Sequence, residues 1–298
     1  MKDGPTFLVT GASGLVGRQI ARDLAESCRV YSGYHATRPD VGIPTKMDIS
    51  RHDEIESAIQ RTRPDVIIHC AAITDVNLCE KEKELATRIN ADATGAIARQ
   101  AAKTRAFLLY MSTDYVFDGM QGMKKESDMP NPVNHYGATK LEGEKKVQEA
   151  ARKWAIARIC VPYGTHPTRR DYLAKMLEAA ARGAESYALV DQFISPTYLP
   201  NLSRMAIEIG TRQIAGLVHL AGSTRISRYD MASKFAQRLS LDPKLLRPAK
   251  MSEMKSWTAK RPHDTSLDTS KAAKILKERP LGIGEGLDLY ARQLRQKL

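Results

Sequence analysis

Phe7-Leu8-Val9-Thr10-Gly11-Ala12-Ser13-Gly14-Leu15-Val16-Gly17 is the stretch on which the fold turns. A short apolar run, the profile of a buried strand, ends at a glycine. From Leu15 to Ala25 the pattern changes to helical, with Leu15, Val16, Ile20 and Leu24 apolar. Between the two lies G-x-x-G-x-x-G. In a strand–turn–helix context each glycine has a physical task. Gly11 permits the tight turn, Gly14 lets backbone approach a pyrophosphate, and Gly17 lets the helix pack close to the sheet. The helix start then presents free N–H groups and a positive dipole end to the phosphates. Gly11, Ser13, Gly14, Leu15, Val16 and Gly17 are therefore the expected dinucleotide cradle.

Outward from this unit, strand and helix signals alternate. Arg29-Val30-Tyr31-Ser32 reads as a second strand, Glu54–Thr62 as a helix, and Val66-Ile67-Ile68-His69-Cys70 as a buried strand. A single long helix is expected over Lys83–Lys103, then a strand at Ala106–Met111. Helix Tyr136–Ala151, strand Ala155–Cys160, helix Arg170–Arg182 and strand Gly216–Leu220 follow. The rest, from Ile226, reads as mostly helical. Such alternation predicts an α/β fold, a Rossmann-type doubly wound parallel sheet with a smaller C-terminal substrate lobe. Residues 1–162, with 191–222 returning, are expected to form the dinucleotide-binding domain. The lobe would be assembled from 163–190 and 223–298.

The chain has 298 residues, 42% hydrophobic and 27% charged, which is ordinary for a globular protein. No run approaches the length of a membrane span, and the start lacks the pattern of a signal peptide. Cys28, Cys70, Cys79 and Cys160 are scattered, without C-x-x-C pairing or zinc spacing. They predict free thiols in a reducing, cytoplasmic setting and no metal. The net charge of +12 is dispersed among acids, as in Glu80-Lys81-Glu82-Lys83-Glu84. That argues against nucleic acid and for a field that attracts anionic cofactors and phosphorylated substrates.

Two further features carry chemistry. After the second strand, where NAD-specific units usually place an acid, the sequence reads Ser32-Gly33-Tyr34-His35, with Arg38 beyond. Arg38 could pair with a 2′-phosphate, so NADP(H) is favoured over NAD(H). Tyr136 and Lys140 stand four apart at the start of a helix and face the same way. They follow a buried strand ending in Ser112-Thr113-Asp114. Hydride transfer to a ketone builds negative charge on oxygen. A tyrosine can supply the proton, a lysine cation can lower its pKa, and the Thr113 hydroxyl can hold the substrate oxygen.

These segments resemble the extended short-chain dehydrogenase/reductases, in particular the dTDP-4-dehydrorhamnose reductase family. The resemblance runs in order through Thr10–Gly17, Pro64–Ala72, Asn90–Thr94, Ser112-Thr113-Asp114-Tyr115-Val116-Phe117-Asp118-Gly119 and Tyr136–Glu144. It continues through Asp191-Gln192, Ser195-Pro196-Thr197, Arg261-Pro262 and Leu267–Lys271. It implies a catalytic triad of Thr113, Tyr136 and Lys140, with Lys140 also on the nicotinamide ribose. Asp48 and Ile49 would lie near the adenine, and Ala71 and Ala72 would line the cofactor cleft. Gln192 and Arg261 would lie on the nucleotide-sugar side. One departure stands out: Val161 occupies the place where the rhamnose enzymes commonly carry a sugar-contacting tryptophan. The implied activity is NADP(H)-dependent reduction of a nucleotide-activated 4-keto sugar, by a protein that can be a homodimer. A second relative, the regulatory beta subunit of methionine adenosyltransferase, is similar around His35-Ala36-Thr37-Arg38-Pro39 and also lacks the tryptophan. It implies the alternative of a cofactor-binding subunit without turnover.

Overall fold

The computed structural model describes residues 4–296. In its first half the strands are β1 (Thr6–Thr10), β2 (Arg29–Tyr34), β3 (Ile43–Lys46), β4 (Val66–His69), β5 (Phe107–Thr113) and β6 (Trp154–Ile159). Short strands β7 (Pro162–Tyr163), β8 (Ser186–Leu189), β9 (Phe193–Ile194) and β10 (Thr197–Tyr198) precede β11 (Gly216–Leu220). β12 (Ile226–Ser227) and β13 (Leu246–Ala249) complete the strands. The main sheet has seven strands in the order β11-β6-β5-β4-β1-β2-β3. Every neighbouring pair in it is parallel. The order reverses between β1 and β4, and at such a switch point the loops beyond the strand ends part to leave a crevice.

Alternate strand residues feed opposite faces. Phe7, Val9, Ile68 and Leu109 pack in one core with α1 (Leu15–Ala25) and α8 (Leu199–Arg212). Leu8, Ile67, Leu108 and Ile156 pack in the other, with α2 (His52–Thr62) and α5 (Ala93–Thr104). Burial on both faces explains why the strands read as unbroken apolar runs. The remaining helices are α3 (Val76–Lys81), α4 (Lys83–Thr87), α6 (His135–Ala150), α7 (Tyr172–Ala181), α9 (Arg228–Arg238), α10 (Ser270–Ile275) and α11 (Ile283–Arg295).

A third core, including Leu173, Met176, Met231, Phe235, Leu287 and Tyr290, gathers residues of α7, α9 and α11. The C-terminal stretch is less helical than its sequence suggests. It contributes β12, antiparallel to β9, and β13, parallel to β8. Helix α10 packs elsewhere, with Ala272 in the sheet core beside α1 and α8. The single helix expected over Lys83–Lys103 is also corrected. A π-helical turn, Arg88–Asp92, separates α4 from α5. Periodicity could not show this, because one widened turn leaves most of the apolar stripe intact.

Candidate active site

Gly11 sits at φ +65°, and a Cβ there would lie 2.8 Å from the Ala71 backbone nitrogen and Cα. Gly17 presses on the preceding turn, where a Cβ would run into the Gly11 carbonyl oxygen. Both positions thus exclude side chains for packing reasons. Gly14 is the N-cap of α1 and gives no side-chain cap to the helix start. The uncapped amides face a cleft of about 840 Å³ that includes Ser13, Leu15 and Val16 in its wall. Asp48 and Ile49 line the same cleft from the loop after β3, and Ala71 and Ala72 from the end of β4. A glycine turn without Cβ atoms beneath open helix amides fits a pyrophosphate-bridged dinucleotide.

Arg38 is exposed and is absent from the cleft wall, whose lip here is His35, Ala36 and Thr37. The acid that follows in this loop, Asp40, is likewise absent from the cleft wall. It pairs with Arg18 on α1, and the guanidinium holds its carboxyl below the usual range.

At the other end of the cleft, β5 delivers Thr113 and α6 delivers Tyr136 and Lys140. Asn134 caps α6 by accepting from the Gly137 N–H at 2.9 Å, which sets the entry angle of the helix. The Lys140 Nζ donates to the Met111 carbonyl at 2.8 Å and stands 4.2 Å from the Tyr110 ring centroid. Burial lowers its pKa to about 7. Burial also raises the Tyr136 phenol, with the Thr113 hydroxyl opposing. Desolvation is thus the largest influence on the phenol. The phenol holds its proton at neutrality, the form that carbonyl reduction consumes.

Thr113 donates to Asp114 Oδ1 at 2.9 Å and accepts from the Tyr115 N–H at 3.2 Å. Asp114 is buried, with its carboxyl raised by desolvation, and its Oδ2 accepts from the Cys160 thiol at 3.1 Å.

Behind the cleft the polar groups close on themselves. The Thr94 hydroxyl donates to the Asn90 carbonyl at 2.7 Å, so it accepts from His69 Nε2 at 3.1 Å. His69 Nδ1 is then the acceptor for the Thr10 hydroxyl, 2.7 Å away. Thr10 in turn accepts from the Ala71 N–H at 3.2 Å. Every proton is placed if His69 is neutral, and burial lowers its pKa to about 3. In the π-helical turn, the Asn90 side chain accepts from the Ile73 N–H at 2.9 Å and donates to the Ile73 carbonyl at 3.0 Å and the Thr139 hydroxyl at 3.1 Å. The widened turn thus staples the segment after β4 to the helix carrying Tyr136 and Lys140.

Three residues expected on the substrate side end in different places. Val161 lines the cleft at φ +36°, a conformation strained for a β-branched residue. Gln192 is fully buried, and its Nε2 donates to the Pro262 carbonyl at 3.1 Å. Arg261 donates to Asn77 Oδ1 and to the Ala259 carbonyl, both at 3.0 Å, and lies over Trp257. Neither Gln192 nor Arg261 belongs to the cleft wall. Two residues not anticipated do: Arg169 from the loop before α7, which donates to the Ser13 carbonyl at 3.2 Å, and Arg228 at the start of α9. Both lie far from the motifs in sequence, and no local spacing marks them. Glu144 could have been found, since it extends the Tyr136–Lys140 stripe by four more residues.

The chain resembles known proteins over nearly its whole length. The chain is 32% identical over 291 residues to methionine adenosyltransferase 2 subunit beta of Xenopus tropicalis, covering 95% of this chain and 84% of that one. It superposes on the dTDP-4-dehydrorhamnose reductase of Bacillus anthracis, solved in complex with NADP, with a TM-score of 0.87 at 28% identity. That match covers 97% of this chain and 99% of the other. A hypothetical dTDP-4-dehydrorhamnose reductase from Sulfolobus tokodaii gives a TM-score of 0.84 at 35% identity, over 95% of this chain and 98% of that one. The family described as RmlD substrate binding domain matches residues 5–295. With a dinucleotide cleft at one end and a threonine, tyrosine and lysine at the other, this chain belongs to the RmlD substrate binding domain family.

Proposed function

We propose that the protein is an NADP(H)-dependent reductase of a nucleotide-activated 4-keto sugar. The observation that carries this is the convergence of Thr113, Tyr136 and Lys140 at one end of the cleft that the glycine turn opens. NADPH, when bound, supplies the hydride. Tyr136 holds the proton for the carbonyl oxygen on its Oη, buried and neutral. Lys140, fixed by the Met111 carbonyl, sets a positive charge behind the phenol and within reach of a ribose. Thr113 positions the substrate oxygen. The glycine turn with Ser13, Leu15 and Val16 would hold the pyrophosphate, Asp48 and Ile49 the adenosine end, and Ala71 and Ala72 the cleft floor. Arg38, exposed one residue beyond the lip, would swing to a 2′-phosphate, with NAD(H) the weaker ligand. The sheet and its helices form the cofactor domain. Segments 163–190 and, among the described residues, 223–296 form the substrate lobe, apart from α10. Four free cysteines support a reducing, cytoplasmic setting, and sedimentation velocity tests for a homodimer.

Tyr136→Phe should abolish NADPH oxidation with dTDP-4-dehydrorhamnose while leaving NADPH binding within about twofold, because the ring stays and only the proton donor goes. Retained turnover would refute the assignment. A second reading follows from the 32% identity to the adenosyltransferase subunit: a cofactor-holding partner protein. Stable co-elution with a methionine adenosyltransferase, together with inactivity on every keto sugar tried, would favour it.

A further inference from the structure

Several arginines around this cleft are paired with acids. Arg225, three residues before Arg228, binds Asp264 at 2.7 Å. Arg18 and Arg158 have Asp40 and Glu144. The three arginines of the cleft wall, Arg88, Arg169 and Arg228, have no such acid among the described residues, and of these Arg228 is the one fixed by a buried amide. It is half-buried in the cleft wall and, among the described residues, makes no ion pair. It shares the cleft wall with Asp114 and Tyr115, and its guanidinium lies 5.8 Å from the Tyr172 ring centroid. Asp114 and Tyr115 follow Thr113 directly, so the guanidinium stands on the substrate side of the cleft, away from the glycine turn.

What holds it there is a neutral amide. The Gln192 Oε1 accepts from Arg228 Nε, and the Gln192 backbone carbonyl accepts from the Arg228 N–H at 3.0 Å. The other end of the Gln192 amide is fixed on the Pro262 carbonyl at 3.1 Å, which orients its oxygen toward the arginine. Gln192 is 1% exposed, so it touches ligands only through Arg228. A buried glutamine orients the guanidinium without neutralising it. The Nη pair is left with its charge and its fork of donors, a geometry that matches two oxygens of one phosphate or carboxylate.

We propose that Arg228, positioned by Gln192, is an anion anchor for the substrate. It would take an oxyanion pair that is either the diphosphate of the nucleotide or a carboxylate on the sugar. This rests on the reading that substrate enters the cleft beside Thr113 and Tyr136.

The test is calorimetric titration of NADP+-saturated protein, so that the cofactor's own phosphate site is filled. The probes are dTDP, thymidine and glucuronate. Wild-type protein should bind dTDP or glucuronate with an affinity that falls about tenfold or more in Arg228→Gln, while thymidine is unaffected. Dependence of dTDP identifies the diphosphate as the anion, and dependence of glucuronate identifies the carboxylate. Gln192→Glu should weaken the same anion by giving Arg228 a resident carboxylate. Circular dichroism and NADP+ affinity check that each variant is folded. If neither anion binds, or if both bind Arg228→Gln as well as wild type, the proposal is overturned. Turnover separates it from the reductase assignment. With a keto-sugar substrate, Arg228→Gln should place its loss on KM, and an unchanged KM would sink the anchor alone. Arg228-dependent anion binding without any turnover would sink the reductase reading alone.

Discussion

His69 and Lys140 are the residues at which burial meets ionisation. Burial moves the His69 pKa from 6.5 to about 3. Between those values the unfolded chain takes up a proton that the native chain refuses, so stability falls as pH drops from 6.5 toward 3. His69→Gln should flatten that part of the profile, measured by urea unfolding at pH 4 to 7. If the slope stays, the His69 network does not cause the acid sensitivity. Lys140 works in the alkaline range, with its pKa lowered from 10.5 to about 7 by burial. The unfolded lysine stays protonated up to about 10.5 while the native one is losing its proton from about 7. Stability contributed by this group therefore rises with pH across that window. Lys140→Met should remove the rise, and equal urea midpoints in the mutant at pH 7 and 10, against a rising midpoint in wild type, would show it. At this scale the sequence was partly legible. Tyr136 and Lys140 could be paired from their spacing, and Thr113 from the strand end. The direction of their pKa shifts was not, because burial depends on everything packed around them.

Helix α6 carries the chemistry, and its middle is anchored by an ion pair one turn beyond Lys140. Glu144 receives two hydrogen bonds from Arg158 on β6, at 2.9 and 2.7 Å, and one from Ser112 on β5 at 2.5 Å. The two charged side chains are 3% and 4% exposed. Removing one partner from such a pair typically costs about 3–5 kcal/mol, since the other charge is left buried and alone. Glu144→Ala should lose that much in chemical denaturation. Glu144→Ala combined with Arg158→Met should recover part of it. A loss under about 1 kcal/mol in the single mutant would mean that water replaces the carboxylate. The periodicity that predicted α6 placed Glu144 below Lys140 but could not name its partner, because β6 joins only in three dimensions. The π-helical turn was invisible for a related reason. Asn90 needs the widened turn to reach both Ile73 and Thr139, and those contacts are tertiary.

Across the whole molecule, the strand–helix alternation was enough to predict the parallel sheet, though not the strand order that sets where it opens. It was not enough to predict that α10 would pack in the sheet core, although the strand at Gly216–Leu220 was legible. Arg169, from the loop before α7, and Arg228, at the start of α9, reach the cleft from segments joined to the third core, and a linear motif cannot encode that approach. The edge of the sheet follows the same logic. β11 pairs with β6 from Gly216↔Ala155 to Leu220↔Ile159, although dozens of residues separate them. A ribosome therefore delivers β6 long before the strand that covers it, and the emerging chain carries a bare row of amides and carbonyls on a flat, apolar strand. Nascent chains stalled before residue 216 should be captured by chaperones and aggregate when released. Chains stalled well past residue 220 should resist protease. Vectorial synthesis thus makes this the point at which the protein is most vulnerable, well after its cofactor turn has been made.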